Sequence, residues 1–172
     1  MLKVRSVRTG DFELSSGRRS RFYVDARTTT MSAEGAAIIG RLGLMEIRAA
    51  GWEPLAVGGL TLGSDPVAYA LSAASLADPP VINAFTVRKA TKAHGTQRRI
   101  EGCFVADSPV VVVEDVITSG ASALDAVAAV KAEGGTVLGV IALLDREEGG
   151  ADAIRDAGLD LRILVRLSEL GL

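Results

Sequence analysis

The sequence has one cysteine, Cys103, so it can form no intramolecular disulfide, and its fold must rest on a packed core without cross-links. It has no surplus of positive charge: the formal net charge is -2 and the sequence pI is near 5.5. A general nucleic-acid binder or a basic membrane-surface protein needs a strong positive field, so both classes are set aside, and small molecules are the expected partners. Long apolar runs are missing too. The longest valine run stops at Glu114, far short of the roughly 20 residues that span a bilayer. The opening "MLKVRSVRTGDFELSSGRR" lacks the apolar centre of a signal peptide. These absences describe a soluble, cytoplasmic protein with no membrane segment. No linker, internal repeat or low-complexity tract interrupts the chain, and 172 residues at 48% hydrophobic suffice for one sizeable core. A single domain over residues 1–172, with at most a small flap, is expected.

What is present is an alternation of short apolar runs with longer segments of helical spacing, the pattern of β-α units around a mostly parallel sheet flanked by helices. "EPLAVGG" (Glu53 to Gly59), "VINAFTV" (Val81 to Val87), "PVVVVED" (Pro109 to Asp115), "TVLGVIALLDR" and "LRILVRL" read as strands, and "SRFYVDAR" as an isolated one. Glu34 to Ala50 reads as an amphipathic helix. "SDPVAYALSAASLA" reads as a helix with Asp65 as N-cap and Pro66 at the first helical position. "SGASALDAVAAVKAEGG" is an Ala/Val-rich helix closed by glycines. "RKATKAHGTQRRIEG" has no apolar face and reads as a loop. Ligands of open parallel sheets bind at the carboxyl ends of the strands, so the loops after Val57, Val87, Val113 and Leu144 should share one edge.

The most informative stretch is "EDVITSGAS". A strand delivers Glu114 and Asp115 to the sheet edge, Val116 and Ile117 follow, and Thr118, Ser119, Gly120, Ala121 and Ser122 turn into a helix. Unpaired backbone N–H groups, the helix dipole and three hydroxyls suit a phosphate monoester. The two carboxylates can accept hydrogen bonds from vicinal hydroxyls, as on a ribose, or hold a hydrated divalent cation. The same residues also read as a helix capped by Thr118 or Ser119 beside two solvated acids. Only one glycine lies in the turn and no Gly-Lys-Ser/Thr follows, which excludes the dinucleotide fingerprint and the P-loop.

Two further features stand at the expected edge. Arg88, Lys89, Lys92, Arg98 and Arg99 put five of the nineteen Lys and Arg within a dozen residues, with His94 among them. That is either a solvated basic surface or a loop that supplies cations to a departing pyrophosphate while excluding water. Arg146, just beyond a strand end, is either an ordinary surface arginine or a bidentate partner for a planar carboxylate. Cys103 is expected to be a small buried hydrophobe, Trp52 to pack at a helix end, and Asp25 and Arg27 either to support the site or to form a structural ion pair.

The run from the valines through "EDVITSGAS" resembles the phosphoribosyl pyrophosphate motif of type I phosphoribosyltransferases, and "VRKATKAHG" resembles the loop of the orotate phosphoribosyltransferase family. "SGRRSRFYVDAR", "VGGLTLGSDPVA", "RRIEG" and "LLDREEGG" extend the resemblance over most of the chain. It implies a type I phosphoribosyltransferase fold, with a core of about residues 34–165 and a small hood from about residues 1–30 and the C-terminal end. It implies transfer of the phosphoribosyl group from phosphoribosyl pyrophosphate to orotate, giving orotidine 5′-monophosphate and pyrophosphate on the pyrimidine route to UMP. Phosphoribosyl pyrophosphate would meet Arg88, Lys89, Lys92, His94 and the stretch from Glu114 to Ser122. Orotate would meet Thr118 and Arg146. Lys92, Glu114 and Asp115 would be catalytic. Mg2+ is implied as cofactor with no direct protein ligand assigned, and a homodimer is implied in which each loop reaches its partner's site. Against the better-known branch, lysines are missing at Ser15 and in "GGLTLG", so Gly58 and Gly59 either bring main-chain N–H groups to the pyrophosphate, with Thr61 adding a hydroxyl, or form a plain turn. The segment before "GDFELSSGR" is also short for the family. Two alternatives remain: transfer to another base, which would leave Arg146 unexplained, and a nonenzymatic phosphoribosyl pyrophosphate sensor, for which no DNA-reading segment is spare.

Overall fold

The computed structural model describes residues 1–13, 19–90 and 98–172. The four valines that open the EDVITSGAS strand organise it. Val110 and Val112 point to one face of a sheet and Val111 and Val113 to the other, and all four are fully buried. A strand covered on both faces has no polar side, which is why this stretch reads as a continuous apolar run. Complete burial of each valine contributes about 1.5–3 kcal/mol before cavity effects.

That strand is β6 (Pro109–Ile117), numbered in chain order, and it stands near the middle of a six-stranded sheet of order β5-β4-β3-β6-β7-β8. Its companions are β3 (Ala56–Leu60), β4 (Asn83–Val87), β5 (Ile100–Gly102), β7 (Thr136–Asp145) and β8 (Leu161–Arg166). All pairs are parallel except β4 with β5. On one face pack α3 (Ala33–Ala49) and α4 (Ser64–Ser75), burying Ile39, Leu44, Ile47, Val67 and Leu71 against Val57, Val111 and Ile141. On the other lie α5 (Ala121–Ala132) and α6 (Gly150–Asp156), with Val127, Val130 and Ile154 against Val110, Val112 and Val140. Helix α3 starts where the Ser32 hydroxyl accepts the Gly35 N–H at 3.1 Å, and the chain leaves it through Gly51 in the left-handed region. A short helix α1 (Leu2–Ser6), an antiparallel ribbon of β1 (Val7–Glu13) and β2 (Arg19–Val24), and the one-turn helix α2 (Arg27–Thr30) complete the amino-terminal part. After β8 a single 3-10 turn (Leu167–Leu170) brings the carboxyl end to α1, where Lys3 Nζ donates to Gly171 O at 2.8 Å.

The α/β class, the mostly parallel sheet and the five core strands agree with the sequence expectation. Four details differ. The strand in "SRFYVDAR" is not isolated, because "VRTGDFE" pairs with it. The basic segment ends in β5, since Phe85, Thr86 and Val87 offer β4 a free edge to Ile100–Gly102. Cys103 is exposed rather than buried, because it follows Gly102 at that sheet edge. Asp65 does not cap α4: it lies within the first turn, and its carboxylate accepts hydroxyls from outside the helix instead. Trp52 follows α3 as expected, stacked on Gly139 with the Arg162 guanidinium 5.8 Å from its ring centroid.

Candidate active site

The loops after β3, β4, β6 and β7 do converge on one sheet edge. Together with the end of β2 they line an open, polar cleft of about 360 Å³. Glu114, Asp115, Val116, Thr118, Ser122, Lys89 and Arg146 all face it, so one cavity gathers the acid pair, the hydroxyl turn, one cation of the basic segment and the arginine after β7. Ile117 is buried beneath the turn.

The acids differ sharply. Glu114 is buried and its Oε2 has no hydrogen-bond partner among the described residues. Burial first, and the neighbouring Asp115 charge second, push its carboxyl up to about 9, so it holds its proton at neutral pH. Asp115 is half-buried, and its Oδ1 accepts the Val116 N–H at 2.9 Å. It presents one carboxylate to the cleft across from Gly63.

Gly120 initiates α5 with a φ of 79°, a conformation glycine adopts without penalty, and a side chain there would meet the Gly150 carbonyl at 2.8 Å. No side chain caps the helix among the described residues. Among the described residues the one side-chain contact within the turn is long, 3.4 Å, from Ala121 N–H to Ser119 Oγ. A small recess lined by Thr118, Ser119, Gly120, Ala121 and Ser122 lies at this helix start, and unpaired first-turn N–H groups suit an anion.

Arg146 is 8% exposed, its backbone N–H donates to Ile117 O at 3.0 Å, and its Nε lies 2.8 Å from Glu148 Oε1. The Nε–H does not point straight along that line, so the contact is an ion pair rather than a hydrogen bond. Asp25 and Arg27 form a two-point pair at 2.8 and 3.1 Å on the opposite wall of the cleft, and the Arg27 guanidinium holds the Asp25 carboxyl below the usual carboxylate range.

Across the cleft, Thr61 and Gly63 form the β3–α4 loop. The Thr61 hydroxyl donates to Asp65 Oδ2 at 2.7 Å, so its proton is committed inside the protein, and Thr86 donates to Asp65 Oδ1 at 2.8 Å. Gly58 and Gly59 lie within β3, where side chains would strike Phe85 and the Val113 carbonyl. Sheet packing accounts for both glycines, and of the three residues only Thr61 reaches the cleft.

The basic segment divides. Lys89 faces the cleft. Arg88 and Lys89 line an adjoining recess of about 530 Å³, and Arg88 pairs with Glu101 at 3.0 Å. Arg98 is exposed. Arg99 turns away: it chelates Asp125 at 2.7 and 2.9 Å and donates twice to Arg88 O, fastening the two ends of the segment together. Lys92 and His94 lie outside the described residues, as does Ser15. Tyr23, Val24 and Leu62 also line the cleft; they lie within the segments "SGRRSRFYVDAR" and "VGGLTLGSDPVA", but no site role was expected of them.

A mostly parallel sheet whose central strand ends in an acid pair and a hydroxyl-rich turn, flanked by a β3–α4 loop and a basic segment, is the type I phosphoribosyltransferase arrangement. Comparison with known proteins agrees. The orotate phosphoribosyltransferase of Aquifex aeolicus is 46% identical over 173 residues, covering 99% of this chain and 93% of that one. The crystal structure of the Mycobacterium tuberculosis H37Rv orotate phosphoribosyltransferase in complex with Fe(III) dicitrate matches with a TM-score of 0.86 at 48% identity, covering 99% of this chain and 95% of the other. The same enzyme in complex with 5-phospho-alpha-D-ribosyl 1-diphosphate matches at 0.82 and 44%, covering 99% and 94%. No protein-family model matches the chain. The chain belongs to the orotate phosphoribosyltransferase family, whose members are pentosyltransferases.

Proposed function

We propose that the protein joins a ring nitrogen of orotate to the anomeric carbon of phosphoribosyl pyrophosphate, giving orotidine 5′-monophosphate and pyrophosphate for pyrimidine synthesis. The observation that carries this reading is the sharing of one cleft by the acid pair, the anion-binding turn and Arg146. The turn from Thr118 to Ser122 would take the 5-phosphate on its N–H groups. The ribose hydroxyls would then lie against Glu114 and Asp115. The pyrophosphate would extend towards the Thr61–Gly63 loop and Lys89, with Arg88, Lys92 and His94 completing its shell. Orotate would place its carboxylate on Arg146, beside Thr118.

As the bond from the anomeric carbon to pyrophosphate breaks, positive charge develops on the sugar and the Asp115 carboxylate stabilises it. Lys89 and Lys92 meet the charge accumulating on the leaving group. Glu114 in its protonated form donates to a ribose oxygen. Hydrogen bonding to a protonated acid adds no repulsion beside Asp115, which explains how two adjacent acids can serve one sugar. No protein nucleophile is needed.

Magnesium fits this site as an ion carried on substrate oxygens. Among the described residues no three His, Cys, Asp or Glu side chains gather into a protein-only cage. Mg2+ characteristically keeps waters and takes one or two carboxylates with substrate phosphates, and Asp115 would hold its water shell. Bound there, the ion would neutralise the pyrophosphate as it leaves.

The working form is proposed to be a homodimer in which Lys92 serves the partner's site. Leu62 at the cleft rim and Tyr69 on α4 are each more than half exposed, an apolar surface suited to a second copy. The amino-terminal ribbon and the carboxyl-terminal turn would form the hood over one domain. The single free thiol suits the cytoplasm, and no helix among the described residues is long and apolar enough to cross a membrane. Purified protein with magnesium and phosphoribosyl pyrophosphate, offered orotate, uracil, hypoxanthine and adenine separately, tests the reading. Turnover of orotate alone is expected, and turnover of a purine instead would overturn it.

A further inference from the structure

Arg146 does not meet the cleft unaided, and the turn behind it is built around its partner. Asp145 Oδ1 accepts the Glu147 N–H at 2.9 Å, and Glu147 takes a φ of 59°, reversing the chain. The Glu147 carboxylate then leaves the cleft altogether, accepting Ser168 N–H at 2.8 Å and Ser168 Oγ–H at 3.0 Å from the carboxyl-terminal turn. With Glu147 drawn outward, Glu148 folds back, and its carboxylate reaches Arg146 Nε at 2.8 Å with only 18% of its side chain exposed. Two adjacent glutamates thus have opposite assignments.

A guanidinium offers two edges for a carboxylate, the side edge through Nε and the end edge through its two Nη atoms. Glu148 occupies the Nε side, and among the described residues nothing accepts a hydrogen bond from the Nη atoms. We propose that Glu148 is the positioning residue for base selection: it fixes the Arg146 guanidinium so that the Nη edge alone faces the cleft, pre-set for a planar carboxylate. A free arginine would lose rotamer entropy on binding, whereas one already pinned by an ion pair does not. The proposal rests on the orotate reading above and deepens it.

The test compares Glu148→Ala with Glu148→Gln, which keeps the length of the side chain beside Nε but removes its charge. The KM for orotate should rise about tenfold in the alanine variant, the equivalent of one charge-assisted contact, and by a smaller factor, about threefold, in the glutamine variant, which keeps the packing and loses the ion pair. The KM for phosphoribosyl pyrophosphate should hold in both, as should inhibition by uracil, which has no carboxylate to place. Rate at saturating orotate should fall far less than kcat/KM. If the alanine variant does not accumulate as folded protein, Glu148→Asp, too short to reach Nε, is expected to behave as alanine does.

An unchanged orotate KM overturns the proposal. So does a lowered one, which would make Glu148 a competitor of the substrate, and so does a parallel rise for both substrates, which would make it structural. Wild-type protein that turns over no orotate removes the functional reading and this proposal with it, whereas orotate turnover with an indifferent Glu148 removes this proposal alone.

Discussion

A Cβ atom placed on Gly63 would overlap the Asp115 carboxylate, so the β3–α4 loop and the acid pair are in contact with no room for a methyl group between them. Asp115 has a short side chain already tied to Val116 N–H, and it cannot swing aside without leaving its place in the cleft. Gly63→Ala is therefore expected to raise the KM for phosphoribosyl pyrophosphate by about tenfold or more, the scale of one displaced charged contact, with little change at the base end. Steady-state kinetics with each substrate varied in turn checks this, and an unaffected KM would show that Asp115 moves freely.

Glu114 sets a pH dependence of stability. Its folded value, raised to about 9, lies above the 4.5 usual for the side chain, so between those limits the folded state binds more protons than the unfolded one. Stability then falls as pH rises through that window. Glu114→Gln removes the titration and keeps the shape. It should stabilise the protein at pH 7 by about 1–3 kcal/mol, or about 2–12 °C in Tm, while lowering activity. Thermal melts from pH 5 to pH 9 should show the gap between variant and wild type widening upward, and a variant less stable at pH 8 would refute the assignment.

Asp65 joins two walls of the cleft by accepting from Thr61 and Thr86. Asp65→Ala strands both hydroxyls and should cost about 1–3 kcal/mol of stability while raising the KM for phosphoribosyl pyrophosphate. Asp65→Asn, which can still accept from one of them, should recover most of both losses. Chemical denaturation read beside the kinetics distinguishes this from a helix-cap role, which would affect stability alone.

Lys92 is expected to act across a dimer. Lys92→Ala and Arg146→Ala should each be nearly inactive alone. Mixed, with subunit exchange confirmed by differently tagged chains, they should regain activity, because each hybrid contains one site free of both defects. Exchange without recovery would place Lys92 in its own subunit's site.

The sequence made the sheet legible because Val110–Val113 admit only a strand covered on both faces, and it made the acid pair and the hydroxyl-rich turn legible because their residues are consecutive. What it hid was built from distance. Asp65 looked like a helix cap because a sequence shows nearby N–H groups but not hydroxyls arriving from Thr61 and Thr86. Cys103 looked buried because its neighbours are apolar, yet it stands at a sheet edge. Glu147 and Glu148 look alike in "DREEGG", and only the reversal at Glu147, anchored on Ser168, separates a residue serving the carboxyl terminus from one serving Arg146. The wall formed by Tyr23 and Val24 comes from a distant part of the chain, and although "SRFYVDAR" read as a strand, nothing local to it shows that it closes on the cleft.

Arg99 donates to Arg88 O and pairs with Asp125, and Arg88 N–H donates to Arg99 O, so residues 88 and 99 are clasped to one another and to α5. The clasp fixes both ends of the intervening stretch independently of its length. Lengthening a loop between fixed ends costs only about 0.6 kcal/mol per doubling, so insertions between residues 88 and 99 are expected to leave the sheet intact. On the proposed reading, the segment assigned to the leaving group is then open to exchange with that of a relative, without rebuilding the core.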